Sequence, residues 1–264
     1  MQIHNTFLFA SELDGVLLPN GIFTAAVGCL DRTRQLLERL KAASYPIVYV
    51  TSHHLSLARE GRETFGLPEP NYWICNLGTE IYDAFGNADQ GWERMMGSPF
   101  PKEVLLNVLK DDPRLTAQED EHQGARKLSL YYPAPVDDGL RTWISMRVGQ
   151  VAEGTRLMDS PDGASGMTSI DIVPANAGKG PALGFLTERL GLPRTRVFFS
   201  GDSEDDLEIS MSGVCGTLVG NAPGPVQDKA RSLAENTEGA RLTLSRGYYG
   251  DGVIEGLRAY DFLN

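Results

Sequence analysis

Cysteine is scarce in this chain, with Cys29, Cys75 and Cys215 the only three among 264 residues. Their odd number and wide separation exclude a disulfide framework and a cysteine zinc spacing, and they suit a reducing cytoplasm. Histidine is nearly as rare, with four residues, of which only His53 and His54 are neighbours. Adjacent residues do not share a helix face and no third ligand accompanies them, so a zinc site is not expected. No apolar run approaches the ~20 residues of a membrane span. The run Phe7 to Ala10 is too short for a signal peptide and lacks a basic flank, so a cytoplasmic location is expected. Basic charge is also short: 24 Lys and Arg stand against 35 Asp and Glu, a net charge of -11. That balance argues against nucleic acid or an anionic membrane as partner. An anionic ligand would have to be held by local charge, meaning a metal ion and a lysine.

What remains is ordinary for a globular chain, with 41% hydrophobic and 22% charged residues. The length is ample for a core domain carrying a smaller inserted one. The first third reads as alternating strands and helices. Phe7 to Ala10 and Ile47 to Val50 are apolar on both faces, as buried parallel strands are. Val27, Leu30, Leu37 and Leu40 between them lie on one helix face. A second helix follows Thr51, Tyr72 to Cys75 is a third strand, and Gly78 to Tyr82 starts a hairpin or edge strand. From Phe85 to Gly166 the pattern changes to short amphipathic helices, around Val104 to Leu109 and Leu140 to Val148, with an alternating strand at Lys127 to Tyr132. The last third returns to alternation: a helix from Pro181 to Leu190, strands at Val197 to Phe199 and Thr217 to Val219, and helices at Asp205 to Ser212 and Gly252 to Tyr260. The fold class is α/β, a Rossmann-like parallel-sheet core of residues 1–84 and 167–264 with an inserted α+β unit of residues 85–166.

Four polar segments stand just after strands or at a helix start, where ligands bind in an open α/β sheet. Glu12 and Asp14 follow the first strand. Two carboxylates at this spacing can divide labour, one attacking or holding metal while the other moves a proton, or they can be solvated acids. Thr51 follows the second strand. Alone it reads as an N-cap; as a phosphate ligand it would add its hydroxyl to the helix amides. Lys179, between Gly178 and Gly180, opens a helix. It reads equally as a solvated lysine or as the cation that neutralises an anion there. Gly201-Asp202-Ser203-Glu204-Asp205-Asp206 packs four acids after a strand, a density that needs a cation nearby or a helix N-terminus to favour it. Asp202 comes earliest and is the metal candidate. Its hard oxygens favour Mg2+.

In this order the segments resemble the haloacid dehalogenase superfamily of phosphatases. The first motif, DxDG[TV], is met by Glu12-Leu13-Asp14-Gly15-Val16, the second by Thr51, the third by Lys179 and the fourth by the Gly201 to Asp206 run. Gly78 to Tyr82, Gly91-Trp92, Asp171 to Pro174 and Gly178 to Leu183 look like the branch with an inserted cap that includes sucrose-phosphate phosphatase. The resemblance implies a Mg2+-dependent phosphatase acting on a sugar phosphate through an acyl phosphate. It implies catalytic roles for Glu12, Asp14, Thr51 and Lys179, and phosphate binding by Thr51, Ser52, Lys179 and Gly15. Metal would fall to Glu12, Asp14, Asp202, Asp205 and Asp206, with Asp205 and Asp206 ordering its waters or holding Lys179. The cap would close over the sugar, with Glu80, Lys127 and Asp171 as candidate contacts at its seam.

The chain departs from the family pattern in motif one, where Glu12 replaces aspartate, and in motif two, where Ser52 and His53 replace glycine and arginine. A methylene added to the attacking side chain moves its carboxylate by roughly 1 Å, a displacement that can cost about a hundredfold in rate. The alternative reading is therefore a catalytically impaired member that binds a sugar phosphate, in association with a glycosyltransferase.

Overall fold

The computed structural model describes residues 6–161, 165–237 and 239–263. In chain order the elements begin with β1 (Leu8–Glu12), α1 (Cys29–Ala42), β2 (Ile47–Val50), α2 (Leu55–Thr64), β3 (Tyr72–Cys75) and β4 (Glu80–Asp83). They continue with α3 (Gln90–Met96), α4 (Lys102–Leu109), β5 (Thr116–Ala117), β6 (Leu128–Tyr132), α5 (Asp138–Gly149), β7 (Thr155–Pro161) and β8 (Thr168–Pro174). Last come α6 (Lys179–Arg189), β9 (Val197–Gly201), α7 (Glu204–Ser210), β10 (Cys215–Leu218), α8 (Gly224–Asn236), β11 (Leu242–Leu244) and α9 (Gly250–Ala259).

Two compact units divide the chain, one of residues 1–88 and 179–264 and the other of residues 89–178. The first is built on a seven-stranded sheet in the order β11-β10-β9-β1-β2-β3-β4. Every pairing is parallel except β3 with β4. Strand β1 is buried at all five positions, which explains why its sequence is apolar on both faces. The chain leaves β1 toward β2 and β3 on one side, and later fills the other side with β9, β10 and β11. The direction reverses at β1, so the ends of β1, β2 and β9 border the crevice where such sheets bind ligands. Register brings Glu12 beside Val50 and Ser11 beside Ser200.

The core of this unit is aromatic where β1 meets β9. Phe198 is fully buried, stacks on Phe9 at 5.7 Å between ring centroids and meets Phe262 edge-on at 6.5 Å. Helix α1 buries Cys29, Thr33, Leu36, Leu37 and Leu40 at three- and four-residue steps, and Arg32 binds Asp251 through two bonds of 2.7 Å, tying α1 to α9. Val27, expected on the α1 face, precedes the helix and is 98% exposed. Nothing in the sequence pattern marks α3, α8 or β11. Helix α8 buries only Ala230 and β11 is half-buried throughout, so neither carries a strong period.

The second unit is a four-stranded antiparallel sheet, β5-β6-β8-β7. Leu105, Leu109, Ile144 and Val148 of α4 and α5 pack on Leu128, Leu130, Ile170 and Ile172. The expected boundary of residues 85–166 is corrected here. Strand β8 pairs with β6 and β7, so the unit runs through Gly178. A strand buried like a core strand does not declare by its own sequence which sheet it joins.

Truncating Phe198 to alanine removes the ring between two aromatic neighbours and is expected to cost about 3–5 kcal/mol. Urea unfolding measures this, and a loss below about 1 kcal/mol would mean that the layer is not close-packed.

Candidate active site

At the end of β1 the Glu12 side chain turns into the unit rather than out to water, and the residue is 5% exposed. Its Oε2 accepts a 2.5 Å bond from the Lys179 ammonium, and its Oε1 accepts from the Leu13 N–H at 3.0 Å. Lys179 is the first residue of α6 and is 4% exposed. It also donates to Asp206 Oδ1 at 3.0 Å. The other oxygen of Asp206 accepts from the Asp202 and Ser203 N–H groups, each at 3.1 Å, and from the Ser203 hydroxyl at 2.8 Å. That is how the acid-rich N-terminus of α7 is satisfied: Asp206 reaches back over its own first turn while neutralising Lys179.

The loop after β1 is clamped. Gly15 takes φ of +72°, and a Cβ there would collide with the Asp202 carboxylate, so glycine lets Asp202 lie against the loop. The Gly15 N–H donates to Asn20 Oδ1 at 2.9 Å, its carbonyl accepts from Asn221 at 2.7 Å, and the Asn20 amide donates to Asp14 Oδ1 at 2.7 Å. His53 Nε2 stands 3.5 Å from Asp14 Oδ2. Thr51 is buried, and its hydroxyl accepts from the His53 N–H at 3.1 Å. It does not cap α2; His54 does, through a 3.3 Å bond from the Leu57 N–H to its ring. Ser52 is half-buried in the same turn. The turn is held from outside by the Asn76 N–H, which donates to the His53 carbonyl at 2.9 Å.

Glu12, Asp14, Gly15, Thr51, Lys179, Asp202 and Asp206 thus belong to one unit and to the ends of β1, β2 and β9 and the starts of α6 and α7. Asp205 acts on Lys179 through its charge. The seam candidates behave otherwise. Glu80 accepts from Asn76 and Tyr82, while Lys127 lies 3.7 Å from Asp171 inside the second unit. Asn20, Asn221 and Asn76 carry no sequence signal. Each works through a bond to backbone or to a short side chain, and such contacts leave no periodicity.

Charge here is uneven. Burial raises the Glu12 pKa to about 8 against the pull of Lys179, with Asp206 and Asp14 adding to the rise. Burial likewise raises Asp202 to about 7, followed by the field of Asp206. For Lys179 burial works downward, but Asp206, Glu12 and Asp205 outweigh it and hold the ammonium well above its ordinary range. One ammonium serves several carboxylates, and Asp202 has no ion-pair partner among the described residues. Those residues contain no ready-made group of three metal-binding His, Cys, Asp or Glu side chains, because Glu12 and Asp206 are turned to Lys179. The donors are nonetheless hard oxygens, and a half-buried carboxylate with no ion-pair partner among the described residues is what a small divalent cation relieves. The residues fit such an ion, with Asp202 the side chain left to receive it.

Both raised carboxyl groups favour the folded state when protonated. Their contribution is complete below the unfolded values of 4.5 and 3.8 and is lost as pH rises through about 7 and 8. The Lys179 shift acts above this window. Melting temperature without divalent metal is expected to fall from about pH 5 to about pH 8.5, and less steeply in Glu12→Gln. Identical slopes for the two proteins would contradict the assignment of Glu12.

The sucrose-6F-phosphate phosphohydrolase family model matches residues 5–261. A HAD-like protein of Nitrosococcus oceani is 30% identical over 269 residues, covering 95% of this chain and 70% of that protein. Sucrose-phosphatase 2 of Nicotiana tabacum is 30% identical over 183 residues, 67% of this chain and 41% of that protein; the chain thus spans less than half the length of this plant relative. The Synechocystis sucrose-phosphatase, solved with sucrose and phosphate, superposes with a TM-score of 0.79 at 20% identity, covering 99% of this chain and 100% of that one, a likeness of fold. Among the described residues no helix is long and apolar enough to cross a membrane. A match over nearly the whole chain, with the four motifs gathered at the reversal point of the sheet, makes this chain a member of the sucrose-6F-phosphate phosphohydrolase family of phosphoric monoester hydrolases.

Proposed function

We propose that the chain hydrolyses a sugar phosphate, with sucrose 6-phosphate or a related disaccharide phosphate as substrate, and that it depends on Mg2+. The observation that carries this reading is the buried junction of Glu12, Lys179 and Asp206 at the ends of β1 and β9. It places a carboxylate and an ammonium within one hydrogen bond of each other, beside Asp14 and Thr51. Lys179 and the Thr51 turn, with Ser52, hold the phosphoryl oxygens. Glu12, freed from Lys179, attacks phosphorus; the bond from phosphorus to the sugar oxygen breaks, and Asp14 supplies the proton that leaves with the alcohol. Water then attacks phosphorus while Asp14 takes its proton; the bond from phosphorus to the Glu12 oxygen breaks, the carboxylate is restored and inorganic phosphate departs. Glu12, the backbone carbonyl of Asp14, and Asp202 would hold Mg2+, which supplies charge stabilisation to the transferring group. Gly15 shapes the loop, since its N–H is already given to Asn20. In this reading the unit of residues 89–178 selects the sugar, and the protein works in the cytoplasm.

A second reading draws on the same contact. With its carboxylate committed to Lys179, Glu12 is poorly placed to attack, and the chain would bind a sugar phosphate with little turnover, as a partner of a glycosyltransferase. Phosphate release from a panel of sugar phosphates in Mg2+ separates the two. Slow release by the natural chain is expected, with Glu12→Asp faster by about a hundredfold and Asp14→Asn slower by about 10²–10⁴-fold. No release by either the natural chain or Glu12→Asp would rule out the phosphatase. Release by Glu12→Asp alone would leave the natural chain a binding protein.

A further inference from the structure

The torsion that turns an aspartate carboxyl about its own axis is broad and two-fold, so packing or a hydrogen bond has to fix it. Asp14 is half-buried and Asn20 is exposed, which leaves that task to bonds. The Asn20 amide donates to Asp14 Oδ1 at 2.7 Å. Its other contact decides which end of the amide is the nitrogen. The Gly15 N–H donates to Asn20 Oδ1 at 2.9 Å, and a flipped amide would set its NH2 against that N–H. The donor therefore faces Asp14. The second oxygen, Asp14 Oδ2, stands 3.5 Å from His53 Nε2, at the outer limit of a hydrogen bond. Asn20 is held although water reaches it. Before it, the Leu18 N–H donates to the Leu13 carbonyl at 2.8 Å. After it, the hydroxyl of the fully buried Tyr249 donates to the Phe23 carbonyl at 2.7 Å. Gly21 passes so close to that hydroxyl that a Cβ there would lie 2.9 Å from it.

We propose that Asn20 is the positioning residue of the acid–base step: it holds Asp14 Oδ1 and thereby assigns the transferable proton to Oδ2. The proposal rests on the reading of Asp14 as the group that protonates the leaving alcohol. An oxygen that accepts an N–H bond is best left unprotonated, so the acid proton falls to the other oxygen. As Glu12 bonds to phosphorus and the sugar oxygen leaves, the Oδ2 proton passes to that oxygen and Asp14 is left ionised. In the second step Oδ2 takes a proton from the attacking water. Oδ1 accepts from Asn20 in both states, so one contact serves both directions of proton transfer.

Hydrolysis of two esters in Mg2+ tests this. Sucrose 6-phosphate, or the best substrate of the sugar-phosphate panel if that ester is not turned over, has a leaving alcohol that needs a proton. The phenolate of p-nitrophenyl phosphate leaves without one. The quantity compared is kcat/KM, which reports transfer to residue 12 and not the later hydrolysis. The natural chain is set beside Asn20→Asp, Asn20→Ala and Asp14→Asn, with the same changes made in Glu12→Asp if the natural chain is silent. Asn20→Asp keeps an acceptor for the Gly15 N–H and loses the donor to Asp14; Asn20→Ala loses both. Both Asn20 variants are expected to lower kcat/KM for the sugar ester at least about tenfold and for the aryl ester less than about threefold, and Asp14→Asn is expected to show the same preference more strongly. A disturbed loop, or weaker phosphate or metal binding, lowers both esters alike, so the ratio between them is the readout. Equal losses, or none, in the Asn20 variants while Asp14→Asn discriminates between the esters would overturn the proposal alone. Equal losses in Asp14→Asn, or no hydrolysis by any of the proteins, would overturn the reading of Asp14 and the proposal with it.

Discussion

The structure of this site depends on one buried interaction, the sharing of the Lys179 ammonium between Glu12 and Asp206. Burying an ammonium and two carboxyl groups is costly unless each is paired and hydrogen-bonded. Here the lysine has two carboxylates, Asp206 has its helix turn, and Glu12 has the Leu13 amide. Each partner comes from a different part of the chain: the end of β1, the start of α6 and the start of α7. The contact fixes where those elements end relative to one another. It also leaves the surrounding acids short of positive charge; burial, and after it the field of Asp206, raises the Asp202 pKa, and a divalent cation suits the place.

The sheet supplies the rest. Because the strand order reverses at β1, the loops after β1, β2 and β9 are neighbours, although they are far apart in sequence. Short polar bonds then hold these loops. Asn20 and Asn221 clamp the backbone of Gly15, and the Asn76 amide braces the Thr51 to His53 turn. Asn76 and Leu77 both adopt positive φ, 51° and 57°. Such strain persists where surrounding contacts over-determine the backbone, and it clusters at functional sites.

Much of this was legible in the sequence because buried parallel strands and motif residues leave strong marks. The runs at Leu8 and Ile47 are apolar on both faces, and the four polar segments follow strands or open a helix in an order a known superfamily shares. What was hidden falls into physical classes. Strand β8 lies past the expected boundary at residue 166, yet it pairs with β6 and β7. Helix α8 and strand β11 bury too little to impose a period. Val27 has the right spacing for the α1 face but lies before the helix starts. Thr51 reads as a cap, while the histidine three residues on does the capping. The pairing of Glu12 with Lys179 spans 167 positions, and no local pattern predicts it.

Glutamate at position 12 thus has consequences beyond a misplaced nucleophile. Its carboxyl group takes one of the lysine's three N–H donors and ties the end of β1 to the start of α6, a contact that attack on phosphorus has to break. The most direct test is a crystal structure of the natural chain grown with tungstate, an inert mimic of phosphate. The account predicts the oxyanion between the Lys179 ammonium and the Thr51 hydroxyl. An oxyanion bound elsewhere would contradict it.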